Sequence, residues 1–225
     1  TLTANMPGVD HAPDILRRKF PKEIAGKVQV VPSHHLAHAY SAYWPSGFDE
    51  ALVLVADASG RIFNDDGKWE TESYTLYAAR DGQLECIHSE RVQAHLAQLS
   101  TLGFVYEYIS RKAGFETRVN SGLSFPEAGK LMGLAAYGGP QENWESWIAP
   151  VKGQPKVSIS AYDIFLEVAA LEKVYDDGLG KPYFRPWLVD LAYKVQKELE
   201  QALCHIVDVA REQTGLSRVC IAGGV

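Results

Sequence analysis

The chain has 225 residues, 46% hydrophobic and 22% charged, with a formal net charge of -6. That composition supports one large globular domain or two small lobes, and no Lys/Arg run marks it for nucleic acid or an anionic membrane surface. Cys86, Cys204 and Cys220 are an odd, widely spaced set without a C-x-x-C pair, which argues against a disulfide framework or a thiolate zinc site and for a reducing, cytoplasmic setting.

Residues 1–26 read as a loop followed by a short basic helix around Ile15–Phe20. The opening residues lack the charged-then-apolar pattern of a signal peptide, and no 18-residue apolar run suggests a membrane span. Lys27–Pro32 (KVQVVP) alternates as a strand does. Ser33 is placed to cap a helix over His34–Tyr43, which Pro45 and Gly47 in WPSGF are expected to break. Ala51–Ala58 (ALVLVADA) is a near-continuous apolar run, the pattern of a strand buried on both faces. Ser73–Ala79 and Leu84–Arg91 are β-rich and separated by a segment containing Asp81-Gly82, a strong hairpin signal.

Leu102–Ala113 reads as a helix closed by Gly114, and Pro126–Tyr137 as a second helix closed by Gly138-Gly139. Residues 138–188 are rich in Pro, Gly, Trp and Tyr, and we expect irregular structure there with one helix near Ile164–Val174. Val189–Thr214 carries Leu191, Val195, Leu199, Ala202, Ile206 and Val209 at helical spacing. Arg218–Ala222 is a final buried strand that runs into Gly223-Gly224. Asp65-Asp66-Gly67, Asn120-Ser121-Gly122 and Asp176-Asp177-Gly178 read as turns without chemistry. This order of elements implies an α/β fold with a mixed sheet flanked by helices, in which nucleotides bind at turns after strand C-termini. The absence of an initiator Met and the ending CIAGGV lead us to expect an internal piece of a longer polypeptide.

Three of the seven histidines fall within His34-His35-Leu36-Ala37-His38. On a helix, His34 and His38 share one face about 6 Å apart along the axis, close enough to share a metal ion. His35 and His38 form a second possible pair, and a solvated or hydrogen-bonded helix start remains an alternative. Leu36 and Ala37 fill the positions where a zinc protease of the HExxH type needs its glutamate, which argues against that activity. Asp57 ends an apolar strand, where a carboxylate needs a charge, a metal or a turn. Capping its own turn is the commoner fate, but beside two histidines it completes a partial metal shell suited to Fe, Zn or Mn.

Ser59-Gly60 after Asp57, and Gly223-Gly224 after the last strand, are candidates to approach a phosphate closely. Gly129 and Gly133 lie one turn apart in a predicted helix, where each costs about 1 kcal/mol relative to Ala. Either a ligand or a close helix contact would explain them. Glu127 and Lys130 are candidates for the same nucleotide or substrate site, or a surface pair.

Five segments in order resemble the carbamoyltransferase family of the nodulation-protein-U, cephamycin and tobramycin type. They are SHHLAHAYSAY (33–43), LVLVADASG (52–60), STLGFVYEYISRKAGF (100–115), EAGKLMGLAAYG (127–138) and the last helix with VCIAGGV (219–225). The resemblance implies an actin/hexokinase-like ATPase fold, with residues 1–225 as part of the N-terminal metal- and nucleotide-binding domain. It implies a separate adenylate-forming domain further toward the C-terminus, outside this chain, that makes carbamoyl-adenylate from carbamoyl phosphate and ATP. The first domain then passes the carbamoyl group to a hydroxyl of a small acceptor beside a divalent metal. The family's metal ligands fall on His34, His38 and Asp57, its glycine turn on Gly223 and Gly224, and its fourth ligand lies beyond Val225. ATP is then a cosubstrate, the rest of the same polypeptide a partner, and the isolated chain inactive.

Two departures stand out. Arg61 follows the Ser59-Gly60 turn where the family carries an acidic residue, and Ala136 replaces the proline of GLAPYG. His35, beside the ligands on another helical face, is the one catalytic candidate, to hydrogen-bond acceptor or phosphate. A tRNA threonylcarbamoyl transferase would share the fold, but the negative net charge disfavours it. A non-catalytic nucleotide-binding module with structural histidines is the other alternative.

Overall fold

The computed structural model describes residues 33–94, 100–119, 124–142, 144–175 and 185–225. The expected helix at Ile15–Phe20, the strand at Lys27–Pro32 and the turns at 120–122 and 176–178 lie outside those residues.

The described chain begins with helix α1 (His34–Ser46) and strands β1 (Glu50–Ala56), β2 (Ile62–Asp65), β3 (Lys68–Arg80) and β4 (Gln83–Gln93). Helix α2 (Leu102–Lys112), the short strands β5 (Glu116–Arg118) and β6 (Ser124–Pro126) and helix α3 (Ala128–Ala135) follow. Strands β7 (Ile148–Pro150) and β8 (Val157–Ile159), helices α4 (Ala161–Tyr175) and α5 (Pro186–Thr214) and strand β9 (Val219–Ala222) complete it.

The main sheet is mixed, as the sequence suggests. β3 pairs antiparallel with β4 along one edge and with β2 and then β1 along the other, while β9 joins β1 in parallel. The hairpin turns work because Asp66-Gly67 and Asp81-Gly82 both adopt positive φ at successive residues, the backbone that matches strand twist. Between β1 and β2 the chain leaves the sheet for five residues, Asp57 to Arg61. It stays tied to β3 by Asp57 N–H donating to the Ser73 carbonyl (3.3 Å) and Gly60 N–H to that of Glu72 (2.9 Å).

Every β1 residue after Glu50 is buried, which explains its unbroken apolar run. Leu52, Leu54 and Ala56 face a core with α2, α3 and α5, whereas Ala51, Val53 and Val55 face α1 through Ala39 and Tyr43. Alternation thus serves two cores, and β1 cannot slip by one residue without exchanging them.

Several boundaries differ from the sequence reading. β1 ends at Ala56 rather than 58. α1 runs through Pro45 to Ser46 and stops at Gly47 (φ 68); a proline in the last turn forfeits one hydrogen bond without preventing that turn. Pro126 pairs with Glu116 in β6, so α3 starts at Ala128, not Pro126. α5 starts three residues early, with Pro186 in its first turn, where a missing N–H costs nothing. The stretch expected to be irregular contains the β7–β8 pair, and its helix spans Ala161–Tyr175.

That pair is held to α5 by a buried charge cluster. Lys194 Nζ donates to Glu167 Oε2 (2.7 Å) and lies 3.9 Å from the Trp147 ring centre. Glu198 accepts hydrogen bonds from the Trp147 and Ile148 backbone N–H groups (2.7 and 2.9 Å). Among the described residues, no helix is long and apolar enough to cross a membrane.

Candidate metal centre

α1 begins at His34 because Ser33 caps it, its hydroxyl accepting the Leu36 N–H at 3.3 Å. That start sets His34 and His38 one turn apart on the face toward the end of β1. Asp57 is the first residue after β1, so the two-sided burial of that strand fixes it. The three side chains converge. His34 Nε2 is 2.8 Å from Asp57 Oδ2, His38 Nε2 is 3.4 Å from the same oxygen, and the two Nε2 atoms are 3.1 Å apart. Donors held about 2.0–2.2 Å from one ion stand roughly 3.0–3.4 Å apart, so this triangle fits a single metal. Two imidazoles and a carboxylate on one side of an ion suit Fe(II) or Zn(II) and leave positions for substrate. Among the described residues this is the one group of three or more such side chains able to hold an ion.

Burial acts to raise the Asp57 pKa, but the His34 hydrogen bond, the Ala58 N–H at 2.8 Å and the nearby histidine charges outweigh it. The group is therefore held below the usual carboxylate range, ionised and ready to bind a cation. His34 is about half exposed and His38 a third, so the site is open to solvent.

The glycine turn meets this centre directly. Gly223 has φ 112, and a β-carbon there would stand 1.8 Å from the Ala56 carbonyl oxygen. A β-carbon on Gly224 would stand 3.1 Å from Asp57 Oδ1. Gly223 must be glycine for β9 to end beside Asp57, whereas a side chain at Gly224 would press on the Asp57 carboxylate. A small cavity of about 70 Å³ opens here, lined in part by Asp57, Ala58, Gly103, Glu107, Ala128 and Gly224. Sequence reasoning missed Gly103 and Thr101. Thr101 caps α2 and donates to the Ala58 carbonyl at 2.9 Å, and a β-carbon on Gly103 would stand 2.4 Å from Ala58 Cα. A threonine before the first periodic residue of α2 was the available signal.

The other candidates are placed differently. Ser59 is hydrogen-bonded to Thr71 (2.7 Å), and Gly60 packs against His35 and Glu72. Glu127 and Lys130 pair with each other at 2.7 Å at the start of α3, whose Ala128 borders the cavity. Among the described residues, nothing lies within 4 Å of a β-carbon added at Gly129 or Gly133. Arg61 is exposed and lies 5.1 Å from the Phe63 ring centre.

His35 requires a correction. Its side chain is fully buried, with Nδ1 2.7 Å from Thr75 Oγ1. It has no surface to meet an acceptor or phosphate. Burial, the largest influence, pushes its pKa down to about 4, so the ring is neutral at pH 7.

Residues 15–225 match the family model described as carbamoyltransferase N-terminus. The chain is 30% identical over 204 residues to an uncharacterized protein of Synechocystis, covering 85% of this chain and 29% of that protein. It is 26% identical over 214 residues to the nodulation protein NolNO of Sinorhizobium fredii, covering 94% and 28%. It is 28% identical over 196 residues to the nodulation protein NolO of Bradyrhizobium diazoefficiens, covering 86% and 31%. The chain thus spans less than a third of the length of these relatives.

Proposed function

The chain belongs to the carbamoyltransferase family, whose N-terminal region it matches, and on that premise we propose that it is the metal- and nucleotide-binding portion of an O-carbamoyltransferase. The donor is carbamoyl-adenylate, made from carbamoyl phosphate and ATP by an adenylate-forming domain outside this sequence. The acceptor is a hydroxyl of a small molecule. The scaffold is part of an actin/hexokinase-like ATPase fold, a reading supported by the mixed sheet with helices on both faces.

The observation that carries the proposal is the convergence of His34, His38 and Asp57 beside the Gly223-Gly224 turn. Those three side chains hold a divalent ion, iron in the first instance. When bound, the ion supplies Lewis acidity to a carbamoyl carbonyl or an acceptor hydroxyl. Asp57 stays ionised and supplies the negative charge that balances the cation. The glycines keep the end of β9 free of side chains, so an adenylate phosphate has room to approach. In the transfer, the acceptor oxygen bonds to the carbamoyl carbon, the bond from that carbon to the AMP oxygen breaks, and the hydroxyl proton is released. AMP is the leaving group that lets a hydroxyl attack this amide-stabilised carbonyl productively.

The test uses the protein with both domains, labelled carbamoyl phosphate, ATP and a panel of hydroxyl acceptors. His38→Ala is expected to abolish label transfer while ATP-dependent pyrophosphate release continues. Loss of both steps, or of neither, would contradict this division of labour.

A further inference from the structure

We propose that His35 is a positioning residue that sets the separation between the histidine pair on α1 and the carboxylate of Asp57. The proposal rests on the metal reading above. His35 lies between the two ligand histidines in sequence but points the opposite way, into the sheet. Its Nδ1 is 2.7 Å from Thr75 Oγ1 on β3. Thr75 is the register partner of Val55, two residues before Asp57. The other ring nitrogen faces Gly60, three residues after Asp57, where an added β-carbon would come within 2.5 Å of it. Nε2 itself is buried and has no hydrogen-bond partner among the described residues. One ring therefore bears on the sheet rung before Asp57 and on the turn after it, while its backbone belongs to the helix carrying both imidazole ligands.

Glycine at 60 fits this arrangement, because any side chain would displace the ring or Glu72, whose carboxylate also lies 2.8 Å from that position. The His34–Asp57 spacing is thus set by a fixed wedge. Ala39 and Tyr43 pack the later turns of α1 on the sheet, and the His35–Thr75 contact adds a directional, hydrogen-bonded tie at the turn that carries His34. Loss of a group that orients metal ligands typically weakens metal binding by about 10–100-fold.

The test is Co(II) titration of the purified protein, with chelator competition for affinity and apo-protein melting as a separate record of folding. An Asn side chain places its amide where Nδ1 stands, and a Gln side chain places it nearer Nε2. His35→Asn should therefore keep near wild-type Co(II) affinity, whereas His35→Gln and Thr75→Val should weaken it about 10–100-fold without changing stoichiometry. The Gln and Val changes combined should be no worse than either alone. Thr75→Val preserves shape and β-branching, so it remains informative if a His35 variant fails to fold. Wild-type Co(II) affinity in both Thr75→Val and His35→Gln would overturn the positioning role while leaving the metal site standing. Failure of the wild type itself to bind Co(II) would remove the metal reading and this inference with it.

Discussion

His34 Nε2 lies 2.8 Å from Asp57 Oδ2 although 23 residues separate them in sequence. The contact joins the first turn of a capped helix to the end of a strand buried on both faces. Neither side chain contributes to the core. Both are held by elements that do, which is how a partly exposed site keeps its geometry.

The glycines beside this contact should differ sharply from those in α3. Gly223→Ala combines a left-handed φ with a β-carbon 1.8 Å from the Ala56 carbonyl oxygen, and we expect a loss of about 3 kcal/mol or more in urea unfolding. Gly129→Ala and Gly133→Ala sit in open helix positions and should stabilise the fold by about 0.5–1 kcal/mol. Loss of transfer activity in those stabilised variants would show that a ligand or another part of the protein uses the open face.

Glu90 should give stability a measurable pH dependence. Burial acts to raise its pKa, but the neighbouring His88, with Nε2 3.5 Å from Glu90 Oε2, and the close Lys156 ammonium outweigh it and lower it. Lys156 Nζ is 2.7 Å from Glu90 Oε1. Because the folded-state pKa is below the unfolded value, this stabilisation is present above the ordinary glutamate pKa and is lost as pH falls through the folded one. Glu90→Gln should cost about 1 kcal/mol at pH 7. The gap between variant and wild type should close as the medium is acidified below the ordinary glutamate range, which denaturant titrations at several pH values would record.

Lys194→Met should be costly even though methionine fills a similar volume. The ammonium is buried between Glu167, Glu198 and Trp147, and its removal leaves two carboxylates without their cation. A loss of about 3 kcal/mol is expected. Calorimetry of the variant beside wild type checks this, and an unchanged melting temperature would mean that the carboxylates find other partners.

Much of this organisation is legible in the residues. The apolar run of β1 announces double burial, Asp81-Gly82 announces a hairpin, and the i, i+4 histidines announce a shared face. The short β7–β8 pair was not legible, because three-residue strands carry no period and depend on Lys194 and Glu198, some fifty residues away. The role of His35 was also hidden. Helical spacing shows that it leaves the metal face, but only the sheet reveals Thr75 waiting beneath it. Gly103 reads as an ordinary helix residue in the sequence, because only the fold brings the Ala58 backbone across it.

The most direct test of the metal centre is metal content. Protein purified anaerobically would be assayed by mass spectrometry, wild type beside His38→Ala. We predict about one equivalent of metal in the wild type, consistent with a two-histidine, one-carboxylate site, and its loss in the variant. No metal in either protein, even after reconstitution with Fe, Zn and Mn, would contradict the account and leave the histidines a structural role.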